Sequence, residues 1–426
     1  MDQDVLIAGG GIGGLAAALA LREAGFSVRV VETVADIQPL GVGINLLPHA
    51  VRELEELGLG SRLADTGVAT STRLLLDRFG DEIFREPLGV EAGYRWPQYS
   101  INRGQLQLLL LEAARERLGA EAVQTSLTLE HYEQRDDRVH VRLRRRADNR
   151  VLTRSAGILV GADGIHSAVR AQMYPGEGAP LWNGVHMWRC TTWMEPFLDG
   201  RTWILAGSNL DAKLVVYPIT PPRADGQQLI NWVAEVRAGD ETTAELGDWT
   251  SRGDVDEVLT HYRGWHFHDW LAVEDMIRRA ERVWEYAMVD RDPLPRWTDG
   301  RVTLLGDAAH PMYPIGANGA TQAILDARHL AWHLWHAETP VDGLRAYEEA
   351  RRETTSELVH SIRRGGPEQP LTLVARRAPS GFNHIEEVLS QGELADIAEG
   401  FKAAAGFAIS ELNARPSLSI PHHRRA

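Results

Sequence analysis

Val5-Leu6-Ile7-Ala8 runs directly into Gly9-Gly10-Gly11-Ile12-Gly13-Gly14, and a second apolar run, Val28-Arg29-Val30-Val31, ends at Glu32, eighteen positions beyond Gly14. Strand, glycine turn, helix and a second strand closing on an acid are the parts of a dinucleotide-binding βαβ unit. Each position has a mechanical reason. Gly9 permits a sharp turn, Gly11 with Ile12 and Gly13 lets backbone N–H groups close on a pyrophosphate, and Gly14 lets the helix pack against the strand. The diphosphate then sits on the helix N-terminus. Glu32, with Thr33 beside it, stands where a carboxylate accepts from a ribose 2′-hydroxyl and repels a 2′-phosphate, which disfavours NADP and leaves FAD or NAD.

At 426 residues the chain exceeds what one hydrophobic core usually organises, so two packed domains are expected. Its formal charge of −14 argues against nucleic acid and against anionic membrane as partners. Cys190 is the only cysteine, which rules out an intramolecular disulfide and a thiolate zinc cluster and fits a reducing cytoplasm. Met1-Asp2-Gln3-Asp4 lacks the basic start of a signal peptide, and no apolar run reaches the roughly twenty residues of a membrane span. A cytoplasmic protein, monomer or homodimer, is expected.

Helical spacing of Leu15, Ala18 and Leu19 predicts a helix ended by Gly25, and Pro48 opens another that carries Val51, Leu54 and Leu57 and ends at Gly58. Asn102 is placed to cap a helix carrying Leu106, Leu109, Leu110 and Ala113. Arg103 then lies in the first turn, where a cation opposes the helix dipole, and an anion is its expected partner. Ile158-Leu159-Val160 and Val302-Thr303-Leu304-Leu305 are continuous apolar runs, as central parallel strands covered on both faces require. From about Met173 to Val283 the pattern becomes short, Trp-rich and alternating, which predicts an inserted, mostly antiparallel sheet. Helices follow beyond Asp326. Glu348 to Arg352 reads as a solvated face, and Arg415 to Ala426 as a frayed tail. The predicted boundaries are 1–72, 97–172 and 284–365 for a discontinuous FAD-binding domain, 73–96 and 173–283 for a substrate sheet, and 366–426 for C-terminal helices and tail.

Two further segments carry the same chemistry. Gly161-Ala162-Asp163-Gly164 follows one buried strand: Asp163 either caps the next helix or marks a turn that brings a cofactor close. Gly306-Asp307 follows the other, which puts Asp307 at the carboxyl edge of the sheet, where a carboxylate can accept polyol hydroxyls such as those of a ribityl chain. Pro314-Ile315-Gly316-Ala317-Asn318-Gly319-Ala320 then enters a helix with bare N–H groups, a suitable neighbour for the anionic edge of reduced flavin.

With these fingerprints in order (Gly9 to Gly14, Asp163-Gly164, Gly306-Asp307) the chain resembles the group A FAD-dependent aromatic hydroxylases, single-component flavoprotein monooxygenases of para-hydroxybenzoate hydroxylase-like fold. Pro39-Leu40-Gly41-Val42-Gly43-Ile44-Asn45, Pro97-Gln98-Tyr99-Ser100-Ile101, Met288 to Pro295 and Tyr313-Pro314 are most similar to the phenazine-hydroxylating members. Asn318 stands where the family usually has Gln, and Thr321 where it has Asn. The resemblance implies FAD at Gly9 to Gly14, Glu32 on the adenosine ribose, Leu129 near the adenine, Arg103 and Asp307 on the diphosphate and ribityl region, and Gly43, Ile44, Gly316, Asn318, Gly319 and Ala320 beside the flavin ring. It also implies NADH or NADPH as a transient electron donor, and hydroxylation of a phenazine-like or carboxylated aromatic by O2 through a flavin C4a-hydroperoxide.

The cofactor carries that chemistry, so no protein nucleophile or metal is expected. The protein's task is a closed, mainly apolar pocket. Trp182, Trp188, Trp193 and Trp203 crowd one part of the inserted sheet, and Met187, Trp188, Tyr217, Tyr286, Pro314 and Gly316 are the candidate pocket residues. Arg189 or His186 is placed to meet a substrate carboxylate. His166 and His310 invite a general-base reading, against structural hydrogen bonds at helix starts. A non-oxygenating FAD oxidoreductase and a flavin sensor remain as alternatives, whereas the W-x-W-x-I-P motif of halogenases is absent.

Overall fold

A computed structural model describes residues 4–39, 41–239 and 251–420. Met1 to Gln3, Leu40, residues 240–250 of the inserted sheet segment and the last six residues of the expected tail lie outside them.

The apolar runs of the sequence become a six-stranded sheet in the order Thr298–Asp299, Val302–Leu304, Ile158–Gly161, Asp4–Ala8, Ser27–Val31, Val123–Gln124. Every pairing is parallel except the one at the Thr298–Asp299 edge. Helix Ile12–Glu23 packs on helices Arg103–Leu118 and Gly319–His336, so Leu15, Leu19, Leu106, Leu110, Ile324 and Leu330 are buried together. The carboxyl ends of the parallel strands deliver Gly9, Glu32, Ala162 and Gly306 to one edge, where open α/β sheets bind ligands.

The second sheet has seven strands, ordered Trp284–Asp290, Leu181–Met194, Gln228–Arg237, Ala212–Pro218, Thr202–Gly207, Thr72–Leu76, Glu82–Pro87. All neighbours are antiparallel except Thr202–Gly207 with Thr72–Leu76. Residues 284–290, assigned from sequence to the FAD-binding domain, are thus the edge strand of this sheet: Met187 pairs with Tyr286 and Arg189 with Trp284. Because side chains alternate along a strand, the sheet has two chemistries. Met187, Trp203, Val215, Tyr217 and Val233 share a core with Leu358, Leu371 and Phe401. Trp188, Cys190, Leu214, Trp232 and Ala234 point to the other side, onto Val258, Tyr262 and Met276 of helices Val255–Tyr262 and Val273–Arg278.

Two more expectations are corrected. Arg351 is buried, not solvated: its Nε donates to Asp326 at 2.8 Å and its Nη2 to Gln322 at 2.6 Å. Arg415 to Ile420 is a docked strap, since Arg415 donates to the Gly406 carbonyl, Ser417 donates to Glu56, and Ile420 enters the main core. Isolated serines and one Ile carry no periodicity, so the partner surface that holds them is invisible in the sequence.

Candidate active site

The glycine turn sorts into two kinds of position. Gly9 has φ +110°, and a Cβ on Gly14 would lie 2.0 Å from the Gly9 carbonyl oxygen, so the fold itself requires both glycines. A Cβ on Gly11 would meet nothing within 4 Å. Packing gives no reason for glycine there; a ligand lying against the backbone does.

Two cavities meet at this turn, sharing Gly11, Arg103, Ala162 and Gly164. The first, about 670 Å³, is walled by Gly9, Glu32, Thr33, Leu129 and Asp163. Glu32 is held there by the backbone, accepting from Gly10 N at 2.6 Å and Val34 N at 2.9 Å. Asp163 accepts from Ser167 Oγ at 2.5 Å and Ala168 N at 2.8 Å, so its carboxylate caps helix Ala168–Met173, and the turn it fixes presents its backbone to the cavity.

The second cavity, about 310 Å³, is bordered by Ile12, Gly13, Gly43, Ile44 and Asp307 on the parallel-sheet side and by Met187, Trp203 and Tyr217 on the antiparallel-sheet side. Arg103 stands between the two cavities at the start of its helix, whose cap is Asn102 accepting from Gln105 N at 3.1 Å. Among the described residues its guanidinium has no hydrogen-bonded or ion-paired partner, and burial lowers its pKa, partly offset by Asp307. Such a cation needs an anion from outside the chain. Asp307 faces the cavity while protein encloses it, and that enclosure raises its pKa against the pull of His310 and Arg103. Its turn is anchored from behind: Gly306 N donates to Asp326, which also binds His310 Nε2 at 2.6 Å and Arg351. Burial opposes ionisation of Asp326, yet His310 and Arg351 hold its pKa well below the usual carboxylate range. His310 is therefore a structural group, and His166 is exposed at the far cavity.

Gly319 and Ala320 begin helix Gly319–His336 at the cavity edge. Asn318 also lines it, but its side chain donates to the Gly316 carbonyl and accepts from Gln322, while Thr321 Oγ1 accepts from Leu47 N. Both departures from the family pattern are thus absorbed by internal hydrogen bonds. Gly316, expected at both the flavin ring and the pocket, does not line this cavity. At φ +71° it faces the C-terminal helices, where an added Cβ would lie 2.5 Å from Phe401, and it borders a separate small cavity with Tyr94 and Phe407.

Of the residues expected to form a pocket, Met187, Tyr217 and Pro314 line this cavity. Trp188 does not. One residue out of phase with Met187, it stacks on His261 on the opposite face, and His186 points the same way to pair with Glu285 at 3.4 Å. Trp182 borders a different cavity and Trp193 carries Arg223 over its ring, which leaves Trp203 as the cavity tryptophan of the four. Tyr286 stands beside Met187 near Arg103 and Arg189, adjoining the cavity without lining it. Arg189 does line it: Nη2 donates to the Gly43 carbonyl at 2.8 Å, the guanidinium also hydrogen-bonds Tyr217, and among the described residues its buried Nε has no partner. Sequence reading missed Asn45, Val215, Val233, Glu235, Met312 and Glu368. A glutamate inside the otherwise apolar run Trp232 to Val236 was the signal available for Glu235.

A family model described as FAD binding domain matches residues 2–361. Phenazine 1,6-dicarboxylic acid hydroxylase PhzS of Lysobacter antibioticus is 46% identical over 365 residues, 85% of this chain and 89% of that one. 3-Hydroxybenzoate 6-hydroxylase 1 of Aquipseudomonas alcaligenes is 34% identical over 361 residues, 84% and 86% of the two chains. Klebsiella pneumoniae HpxO, solved with FAD and uric acid, superposes with a TM-score of 0.75 at 22% identity, covering 96% of this chain and 97% of that one. The chain belongs to this FAD-binding family, the group A flavoprotein monooxygenases, with their α/β, para-hydroxybenzoate hydroxylase-like fold. It is an FAD-dependent aromatic hydroxylase, and the non-oxygenating alternative is not favoured.

Proposed function

We propose that this hydroxylase acts on a flat aromatic ring bearing a carboxylate, a phenazine acid first among them, with NADH or NADPH as transient reductant. The observation that carries the reading is Arg189: a half-buried guanidinium whose buried Nε has no partner among the described residues, set in a wall of Met187, Trp203, Val215, Tyr217 and Val233. A slot with an apolar wall and the Arg189 cation at its edge suits a planar ring with one anionic substituent. The relative from Lysobacter, named for a phenazine dicarboxylic acid, supports the ring type.

FAD would be held by Gly9, Glu32, Thr33 and Leu129 at the adenosine, by Gly11, Ile12, Gly13 and Arg103 at the diphosphate, by Asp307 at the ribityl chain, and by Gly43, Ile44, Asn318, Gly319 and Ala320 at the ring. When bound it supplies hydride acceptance and oxygen activation. The chain's own part is to orient the ring, exclude water and hold the carboxylate. Its sequence has one full glycine fingerprint, so the nicotinamide has no second site of that kind and binds in passing. A cytoplasmic monomer or homodimer suits a chain with one cysteine, and sedimentation would fix the assembly.

The test is NADH and NADPH consumption with phenazine-1-carboxylate, phenazine-1,6-dicarboxylate, 3-hydroxybenzoate and unsubstituted phenazine, with product masses from the same reactions. A phenazine acid is expected to accelerate consumption and gain one oxygen, and Arg189→Met to raise KM for it more than it lowers kcat. Equal stimulation by unsubstituted phenazine would overturn the carboxylate assignment.

A further inference from the structure

The wall behind the substrate cavity holds a charge cluster that the hydroxylase reading has not used. Lys213 and Glu235 face each other across neighbouring strands, with Nζ 2.8 Å from Glu235 Oε2, and the same ammonium pairs with Glu368 from the turn Gly366–Glu368. The three side chains are almost fully enclosed, at 1%, 8% and 4% exposure for Lys213, Glu235 and Glu368. Two carboxylates around one ammonium leave an odd negative charge in the interior, which is tolerable only if the cluster shares a proton or meets a donor. Arg189 on the adjacent strand is the next cation, and Tyr262 closes the cluster from the opposite face by donating to the Lys213 and Glu235 carbonyls at 2.7 and 3.0 Å.

Glu235 has a second property. It lines the ring cavity together with Arg189 and Tyr217, and it also lines a further cavity of about 560 Å³ whose rim carries Arg237, Arg364 and the exposed Leu181 and Leu210. Glu235 thus borders the ring cavity on one side and a second cavity on the other.

We propose that Glu235 is the proton-exchange group of the aromatic site for those aromatic acids that carry a phenolic O–H, as 3-hydroxybenzoate does, taking that proton from the bound ring and handing it to water in the second cavity. The substrate's O–H bond breaks with its electron pair left on the substrate oxygen, an O–H bond forms on Glu235, and that proton then passes to water. Lys213 and Glu368 position the carboxyl group and share its charge. Burial raises the pKa of Glu235, aided by Glu368 and opposed by Lys213, whereas Lys213 is itself held up by the two glutamates against the effect of burial. A carboxyl group whose pKa is raised gives up its proton less readily and is the better base for a proton taken from the ring. This inference rests on the aromatic hydroxylase reading.

The experiment uses the FAD-loaded enzyme with 3-hydroxybenzoate, following the phenolate band of the bound ligand, proton release to an indicator dye, and the pH profile of turnover. Glu235→Gln leaves Lys213 with one carboxylate, a balanced pair, and is expected to retain FAD and to bind benzoate, which has no phenolic proton, as the wild type does. Its ligand ionisation and turnover are expected to fall by about a hundredfold. In the wild type, turnover falls as pH drops through the Glu235 titration, because the base works in its ionised form; Glu235→Gln loses that acid limb and Glu235→Asp regains part of it. An unchanged acid limb in Glu235→Gln overturns the proposal, whether turnover stays normal or drops together with benzoate binding as a purely structural role would give. Failure of every aromatic to stimulate the wild type would instead bring down the hydroxylase reading, and this inference with it.

Discussion

The two cavities that meet at Gly11 are built from different materials. At the Glu32 end the glycine turn Gly9 to Gly14, the Asp163-capped turn and the backbone-held Glu32 make a wall largely out of main chain. At the other end the wall is side chains from four strands of the antiparallel sheet, Met187, Trp203, Tyr217 and Glu235, whose placement depends on register. A main-chain site tolerates change in most side chains but not in its glycines. A side-chain site is retuned by single substitutions, which suits a family that shares one cofactor and varies its substrate.

The sharpest way to break this contrast lies inside the glycine turn. Gly14→Ala drives a methyl group into the Gly9 carbonyl and is expected to destabilise the apoprotein by at least about 3 kcal/mol, whereas Gly11→Val is expected to leave apoprotein melting nearly unchanged and abolish FAD retention. Thermal melts with and without FAD separate the two; equal damage to both apoproteins would remove the ligand argument for Gly11. Next in size is Asp326→Asn, which leaves Arg351 and His310 buried without their carboxylate and is expected to cost about 3 to 5 kcal/mol in denaturant titrations. Since the folded pKa of Asp326 lies below its unfolded value of about 3.9, its contribution is complete above that pH and lost as pH falls toward the folded pKa. The wild-type stability advantage over Asp326→Asn should therefore shrink in acid and hold at neutrality.

Asp307→Ala, which removes a cavity-facing carboxylate without opening the core, is expected to weaken FAD by about 1 to 3 kcal/mol in fluorescence titrations. The smallest expected effect compares the two faces of one sheet. Trp203→Phe should raise KM for the aromatic while melting little changed, and Trp188→Phe should lower the melting temperature while leaving KM alone. The reverse pattern would mean that the wrong face has been assigned to the substrate.

These contrasts explain which parts were legible from sequence. Gly9, Gly14 and the apolar strands follow from local sterics and burial, so spacing alone places them. Arg103 was legible because a cation in a first helical turn is locally unfavourable and asks for a partner. Trp188 and Met187 are adjacent in sequence, and only the strand's phase against its neighbours decides which of them faces the cavity. Gly316 was expected at the cavity for a related reason: its left-handed turn is local, but the Phe401 it meets lies far along the chain. Lys213, Glu235 and Glu368 come from two strands and a distant turn, and no spacing announces a cluster assembled that way.

One measurement bears most directly on the central claim that flavin chemistry in this cavity inserts oxygen into an aromatic acid. The FAD-loaded enzyme is mixed with NADH or NADPH and phenazine-1-carboxylate or phenazine-1,6-dicarboxylate under isotopically labelled dioxygen, and the product mass is read. Incorporation of a single labelled atom is the predicted result. Nicotinamide oxidation that yields only unlabelled product, or labelled hydrogen peroxide with the aromatic unchanged, would contradict it.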